Sequence, residues 1–223
     1  IDKPLTWTSF QAVNKVRWHK KQQFKIKKIK VGHAGTLDPL ATGLLIICTG
    51  KQTKEINTYQ GQIKEYTGVF TIGATTPSYD LETEIDKTYS TEHITKELLQ
   101  HTTKQFIGEI QQKPPIFSAI KKDGKRLYEL ARKGETTEIK ARTVTVSEFE
   151  ITKFEANEVH FRIVCSKGTY IRSIAYDFGI ALNSGAHLSV LRRTKIGDFH
   201  VDDAVSIEAF INNLNPDFLN KEP

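Results

Sequence analysis

Apolar and polar residues alternate most regularly along Lys64–Gly73, where Tyr66, Phe70 and Ile72 fall on one face. A repeat of two residues is typical of a β-strand with one buried side, so this stretch is predicted to be a strand. Apolar-rich runs predict four more strands, at Leu44–Thr49, Val144–Phe154, Val159–Ser166 and Leu188–Phe199. The second and third of these four are predicted to pair around a turn at Glu155–Glu158.

Apolar residues spaced three or four positions apart predict helices instead. Phe10, Val13 and Val16 define the first helix, with Thr8 or Ser9 as its N-cap. Further helices are predicted at Lys51–Tyr59, Thr91–Phe106 (with Ile94, Leu98 and Phe106 inward), Arg126–Lys133, Tyr170–Leu182 and Ser206–Leu214, the last N-capped by Ser206. Because these elements mix without a regular βαβ repeat, the pattern predicts an α+β fold with a largely antiparallel sheet.

The stretch Lys113–Arg142 interrupts this pattern, because it is basic, opens on prolines and contains few apolar residues. A long excursion of this kind is either a mobile binding element or disorder. Its short helix, ended by Gly134, favours a binding element. The length allows one large domain or two small ones, with 113–142 as an insertion and 206–223 as a short helix and tail.

Composition narrows the class of protein. The 223 residues are 38% hydrophobic and 26% charged, and the net charge of +6 with a pI near 9.2 favours a polyanionic partner, most simply nucleic acid. Cys48 and Cys165 lie in apolar runs and are predicted to be buried free thiols, which fits a reducing cytosol. No metal-ligand spacing, signal peptide or apolar run of about 18 residues occurs, so we expect a cytoplasmic protein without a metal site or membrane span.

One acidic residue stands apart from its surroundings. Asp38 lies directly before Pro39 in the glycine-punctuated stretch Gly32–Gly50, and the chain from Lys3 to Leu37 contains no acidic residue. Cations accumulate ahead of it, at Lys15, Arg17, Lys20, Lys21, Lys25, Lys27, Lys28 and Lys30. A carboxylate at the edge of a cationic field indicates chemistry on an anionic substrate, although an Asp before Pro also commonly initiates a turn.

Three other side chains have a functional and a structural interpretation. Tyr66 is either a core residue of its strand or a catalytic one. Arg172 follows a Lys-Gly-Thr turn that opens a helix, a place suited to phosphate, but it is equally compatible with the helix surface. His33, predicted to be exposed because its neighbours are small, is a functional or a structural histidine. From the residues alone, the chain is a basic α+β protein with one candidate catalytic carboxylate.

Five ordered stretches resemble the motifs of the TruB family of tRNA pseudouridine synthases, and together they span nearly the whole chain. They are DKPLTWTS, GHAGTLDPLATG, KEYTGVFTIGATTPSYD, QKPPIFSAIKKDGKRLYELARKG, and CSKGTYIRSIAYDFG with GAHLSVLRRTKIGDF. The resemblance implies the pseudouridine synthase fold, a catalytic domain over 1–205 with an RNA-gripping insertion at 113–142, and isomerisation of the T-loop uridine at tRNA position 55.

The resemblance also implies roles for single residues. Asp38 becomes the catalytic aspartate, acting as nucleophile, base or electrostatic stabiliser, Tyr66 the active-site tyrosine, and Arg172 the arginine paired with Asp38. His33 contacts RNA beside the flipped base, and Lys3 with Pro4 supports the floor of the site. The RNA-binding set expected with His33 is Lys3, Lys20, Lys121, Lys122, Arg126, Lys167 and Arg192. No cofactor or metal is expected, because the reaction involves neither redox change nor hydrolysis.

The chain departs from the family pattern at three points. Thr6 stands where the first motif usually has Gly, and Gln52 replaces a usual Ala. Only 24 residues follow Phe199, too few for the family's C-terminal RNA-binding (PUA) domain, so we expect a weaker hold on the acceptor arm and intact catalysis on a T-arm stem-loop. The expected partner is tRNA, bound by a monomer without an obligate protein partner. The alternatives are a tRNA-folding chaperone and a relative of the guide-RNA-dependent synthases.

Overall fold

The computed structural model describes residues 1–122, 124–135 and 137–214. Within them the α-helices are α1 (Ser9–Gln23), α2 (Ile56–Gly61), α3 (Lys96–Thr103), α4 (Leu127–Ala131), α5 (Ile171–Ala181) and α6 (Ile207–Asn212). The strands are β1 (Asp2–Lys3), β2 (Val31–His33), β3 (Ala41–Leu44), β4 (Ile47–Thr49), β5 (Lys64–Ile72), β6 (Ala74–Thr75), β7 (Lys87–Thr88), β8 (Gly108–Gln112), β9 (Lys121–Lys122), β10 (Lys125–Arg126), β11 (Arg142–Glu155), β12 (Glu158–Cys165), β13 (Ala186–Ile196) and β14 (Phe199–His200). Short 3₁₀ turns occupy Gly50–Glu55, Lys104–Phe106 and Val201–Asp203.

The chain divides into two compact units. The first contains Ile1–Tyr66 and the chain from Leu191 onward, and the second contains Thr67–Val190. Strands β5 and β13 each begin in one unit and continue in the other. The fold is α+β with mixed, mostly antiparallel strand pairing, which confirms the predicted fold class. Among the described residues, no helix is both long and apolar enough to cross a membrane.

In the first unit, α1 packs its apolar side inward. The helix begins at Thr8, whose hydroxyl accepts the Gln11 N–H while the Gln11 side chain accepts the Thr8 N–H, a reciprocal capping box. Its buried residues Ala12, Val13 and Val16 join two small apolar clusters, one of which includes Leu45 and Ile207. Strand β3 pairs antiparallel with β1 and parallel with Leu191–Arg193 of β13, so the start of the chain and its last long strand frame the same short strand.

In the second unit, five phenylalanines form the aromatic core. Their rings contact one another at centroid distances of 4.2–6.5 Å, and the residues are Phe70, Phe106, Phe149, Phe161 and Phe178. Strands β11 and β12 form the predicted antiparallel hairpin. Ala156 and Asn157 at its tip both have positive φ, 49° and 67°, as a two-residue turn matched to strand twist requires. Helix α5 supplies Phe178, so this core fixes the helix that begins with Arg172's turn.

Two predicted elements differ from the structure, and one strand was not predicted. The single strand predicted at Leu44–Thr49 is two strands, β3 and β4, which pair with different partners. The predicted helix Thr91–Phe106 is shorter, because Thr95 caps α3 only at Lys96, and Leu99 rather than Leu98 is buried. Strand β8 was not predicted, although it pairs with β11 over five residue pairs. The insertion holds the hairpin β9–β10 and α4, and the Gly134 that follows has φ of 72°.

The caps and thiols agree with prediction. Ser206 caps α6 by accepting the Ala209 N–H at 3.0 Å, and α5 begins directly after Tyr170. Cys48 and Cys165 are buried free thiols, as expected. Of the predicted tail, residues 215–223 lie outside the described residues.

Candidate active site

The loop that carries Asp38 connects β2 to β3 in the first unit, and backbone-directed hydrogen bonds hold it on both sides of the carboxylate. The Ser9 hydroxyl, buried at the start of α1, accepts the Leu37 N–H at 2.9 Å and donates to the Leu37 carbonyl at 3.1 Å. The Thr6 N–H donates to the Pro39 carbonyl at 2.8 Å. Asp38, which is half-buried, is therefore flanked by two fixed residues, as a group that must act on a bound substrate requires.

The Thr6 contact depends on an unusual backbone conformation. Thr6 has φ of 68°, in the left-handed region that β-branched residues rarely adopt. Its side chain is exposed. A threonine at a position with a glycine-like φ stores strain beside Asp38.

Arg193 lies beneath the loop and is 1% exposed. Its guanidinium donates from Nε to the Leu44 carbonyl at 2.8 Å, from Nη2 to the Gly35 carbonyl at 3.1 Å, and from Nη1 to the Thr36 carbonyl at 3.5 Å. A Cβ on Gly43 would lie 2.3 Å from the Arg193 carbonyl oxygen, so only glycine fits next to this strand. Arg193 thus joins the chain before Asp38 to the chain after it. Arg193 falls within the predicted strand Leu188–Phe199 but was not singled out as a site residue; its signal was a charge at an inward position.

Lys3 is the second buried cation in this unit, with no exposed surface. Its ammonium donates to the carbonyls of Pro4 at 2.8 Å and Trp7 at 2.6 Å. Burial lowers the pKa of Lys3 to about 8, the Asp38 charge opposes this shift, and the Arg193 charge adds to it. Complete burial is a correction to the expected direct RNA contact by Lys3, and it agrees with the expected support of the site floor.

His33 and Tyr66 both lie on strands and are largely shielded from solvent. His33 ends β2 and is half-buried, so the prediction of an exposed histidine is wrong. Burial lowers the pKa of His33, the nearby Arg193 charge lowers it further, and the Gly35 backbone opposes the shift. The imidazole is therefore neutral at neutral pH. Tyr66 lies on β5 and is 9% exposed, a burial compatible with core packing and with a ring beside an enclosed base.

Arg172 lies in the second unit, in the first turn of α5, and is 3% exposed, so its interpretation as a surface residue is wrong. Its Nη1 donates to the carbonyls of Phe117 at 2.9 Å and Ser78 at 3.3 Å, and its Nε lies 3.5 Å from a carboxylate oxygen of Asp80. The guanidinium is therefore fixed by a buried ion pair and two carbonyls.

Asp80 is a functional candidate that the sequence analysis missed. It is 5% exposed, and its other carboxylate oxygen accepts the Glu82 N–H at 2.9 Å. Hydroxyls of Thr76 and Ser78 donate to its backbone carbonyl at 2.6 and 3.1 Å, which fixes the turn that holds it. The available signal was its place at the end of the motif KEYTGVFTIGATTPSYD, of which only the tyrosine was interpreted.

The turn before α5 is braced from within the second unit. Arg142 donates to the Gly168 carbonyl, and its guanidinium lies 4.7 Å from the centroid of the Tyr170 ring. Gly168 has φ of 84°, so the turn requires a glycine there. Lys167 in this turn is exposed, as an RNA contact would require.

The other predicted RNA-binding residues occupy varied positions. Lys20 is half-buried in the last turn of α1, with its ammonium 5.6 Å from the Phe24 ring centroid. Arg126 is exposed and lies against Tyr128. Arg192 donates to both oxygens of Asp2, at 3.1 and 2.8 Å, so RNA would have to compete with this ion pair. The structure describes only the backbone of Lys121 and Lys122, in β9; their side chains lie outside the described part.

Metal-ligating groups were also sought among the described residues. In residues 1–122, 124–135 and 137–214, no group of three or more His, Cys, Asp or Glu residues is arranged to hold a metal ion. The polar groups at hand near Asp38 and Arg172 are instead cations, carboxylates and backbone carbonyls. Such groups suit charge stabilisation and proton transfer on an enclosed substrate.

Solved structures with the same fold include chains from two multi-component complexes. A chain of a Cbf5–Nop10–Gar1 complex matches with a TM-score of 0.71 and 28% identity over 99% of this chain. A chain of an H/ACA RNP bound to a substrate RNA containing 2′-deoxyuridine matches with a TM-score of 0.67 and 27% identity over 95%. The present chain spans about half the length of these solved chains, 54% and 51%.

Family models match most of the chain, and curated relatives are matched over most of their own length. The model of the TruB family pseudouridylate synthase N-terminal domain matches residues 21–171, and that of the tRNA pseudouridylate synthase B C-terminal domain matches 172–216. The tRNA pseudouridine synthase B of Flavobacterium johnsoniae is 66% identical over 96% of this chain and 94% of its own length. That of Phocaeicola vulgatus is 59% identical over 94% of this chain and 89% of its own length. The chain therefore belongs to the TruB family of pseudouridylate synthases.

Proposed function

We propose that this chain isomerises the T-loop uridine at position 55 of tRNA to pseudouridine. The observation that carries the proposal is the 66% identity, over 96% of this chain, to a tRNA pseudouridine synthase B. Membership of the TruB family makes the chain an isomerase. The loop around Asp38, held from both sides, supports the same function because it offers a rigidly placed carboxylate.

The reaction sets what the site must provide. The bond between uracil N1 and ribose C1′ breaks, the base turns, C5 bonds to C1′, and the proton on C5 leaves as N1 gains one. Atoms and electrons balance within the uridine, so the protein needs only to bind, orient and move protons. The target base must first leave its stack, at a cost of a few kcal/mol, which phosphate contacts to a basic protein offset.

Asp38 supplies the carboxylate that acts at C1′ or C2′, as a nucleophile or as a base. The pairing of Arg172 with Asp38 comes from the family resemblance. The Asp80 contact and two carbonyls hold the Arg172 guanidinium in one orientation within the second unit. Tyr66 offers a ring to stack on uracil and a hydroxyl for proton transfer. His33, which is neutral at neutral pH, can accompany a flipped base without adding charge.

The proposed substrate is free tRNA, bound through its T-arm by a cytoplasmic enzyme acting as a monomer without a guide RNA. Relatives named tRNA pseudouridine synthase B, matched over 94% and 89% of their own lengths, support independence from a guide. The exposed cations Lys167 and Arg126 support binding of the phosphate backbone.

The test is release of tritium from C5 of uridine in a T-arm hairpin and in full-length tRNA, with no other RNA or protein added. Wild-type protein should release it from both, and Asp38→Asn should not. Asp198→Asn, which neutralises an exposed aspartate of the same unit, is the matched control and should remain active. Retained activity in Asp38→Asn, or a requirement for added guide RNA, would contradict the proposal. An inactive Asp38→Asn protein that still refolds tRNA would separate a chaperone activity from catalysis.

A further inference from the structure

The solvent face of α1 carries two large aromatic side chains. Phe10 is 65% exposed and Trp18 is 56% exposed. The buried residues of this helix are Ser9, Ala12, Val13 and Val16. At about 100° per residue, Trp18 points almost directly away from the centre of that buried face. The indole meets the neighbouring His19 ring edge-on at a centroid distance of 4.5 Å but stays mostly exposed, so burial in the first unit does not account for it.

The charged residues that α1 itself carries are all positive. Lys15 lies one turn before Trp18 and Lys21 one turn after it. The segment continues through Lys25, Lys27, Lys28 and Lys30, all exposed, and the chain from Lys3 to Leu37 contains no acidic residue. An aromatic platform flanked by cations is the arrangement that binds nucleic acid through base stacking and phosphate contacts together.

We propose that the exposed face of α1, centred on Trp18 and flanked by Lys15 and Lys21, is a second RNA-binding surface. It stacks an accessible base of the bound tRNA and contacts the adjacent phosphates. This surface rests on the proposed function, because it assumes that tRNA is the substrate. The stacked base is not the target uridine, since Trp18 lies nine residues, about 14 Å, along the helix from Ser9, which holds the Asp38 loop.

RNA fits this face better than other occupants. A protein partner would have to be strongly acidic and also cover two exposed rings, whereas RNA provides phosphates and base faces in one molecule. A membrane-binding helix buries a continuous apolar face in the lipid, but the aliphatic face of α1 is already buried in the first unit.

Intrinsic fluorescence gives a direct test, because the chain has only two tryptophans and Trp7 packs against the core cluster that contains Ala12. Unmodified full-length tRNA should quench the wild-type emission, and Trp18→Ala should lose that quenching. Trp18→Ala should also weaken tRNA binding by about tenfold. Lys15→Glu should lower the slope of log K against log salt by about one. The single-turnover isomerisation rate at saturating tRNA should stay at the wild-type value in both variants.

Two control variants make the same kinds of substitution elsewhere on the protein. Phe199→Ala removes another exposed ring of the first unit, and Lys104→Glu reverses an exposed charge of the second; both should bind tRNA as wild type does. If Trp18→Ala binds tRNA with an affinity within twofold of wild type, the inference is overturned. A wild-type protein that binds tRNA through Trp18 but releases no tritium contradicts the proposed function and leaves the RNA surface standing.

Discussion

Replacing Thr6 with glycine is expected to stabilise the protein. An L-residue in the left-handed region costs about 1–2 kcal/mol, which glycine avoids. Glycine gives back about 0.5–1 kcal/mol through the greater freedom of the unfolded chain. The Thr6 side chain is exposed, so its loss should remove little packing. The net gain is then about 0.5–1 kcal/mol, which for 223 residues corresponds to a rise in Tm of roughly 1–2 °C.

The assay is calorimetric melting of a series at this one position. Tm should increase in the order Thr, Ala, Asn, Gly, because β-branching is worst at φ of 68° and Asn tolerates this region better than Ala. The N–H that donates to Pro39 is present in every member of the series, so kcat should stay within twofold of wild type. A lower Tm for Thr6→Gly, or equal values for Ala and Gly, would refute the idea that backbone strain at Thr6 is stored beside the loop that carries Asp38.

Three further changes probe the buried charges. Asp80→Asn should lower the free energy of unfolding by about 3 kcal/mol in urea titrations and reduce kcat, because Arg172 loses its buried counter-charge; a change below about 0.5 kcal/mol would contradict this. Arg193→Lys should reduce kcat by about tenfold with KM within twofold, since an ammonium cannot bind three carbonyls at once; an unchanged kcat would show that the loop does not depend on this residue. In the folded protein the pKa of Lys3 is about 8, below its value in the unfolded chain. The buried ammonium therefore lowers the free energy of unfolding by its full amount below pH 8, and this effect fades as pH rises. Wild-type stability relative to Lys3→Met should therefore increase by about 2 kcal/mol between pH 7 and pH 9.5, and a pH-independent difference would argue against a perturbed lysine.

Local sequence signals predicted the elements whose ends are set locally. The caps of α1 and α6 were recognised because Thr8 and Ser206 satisfy backbone N–H groups three residues ahead. The β11–β12 hairpin followed from two alternating runs close together in the chain. The strand at Leu44–Thr49 failed because the Leu45 N–H donates to the Ile1 carbonyl, a distant partner that no local pattern reveals.

Residues of the candidate site were likewise predicted where the signal is local and missed where their partners are distant in sequence. Asp38 was identified because its isolation among cations is visible in the sequence itself. The burial of Arg172 was not predictable, since its carbonyl partners Ser78 and Phe117 lie 94 and 55 residues away. Arg193 was overlooked for a related reason: its carbonyl partners around the Asp38 loop lie 149 to 158 residues earlier in the chain.

The first unit is built from two segments that are far apart in the chain, and this has a consequence during synthesis. Residues 67–190 leave the ribosome as one uninterrupted block, whereas Ile1–Tyr66 must wait for the segment that begins at Leu191. Arg193 follows Leu44 by 149 residues, which at bacterial elongation rates is a delay of roughly 7–30 s. Throughout that interval β3 lacks its parallel neighbour, and the loop bearing Asp38 lacks the guanidinium beneath it. Nascent chains should therefore acquire activity only when translation of this segment is complete.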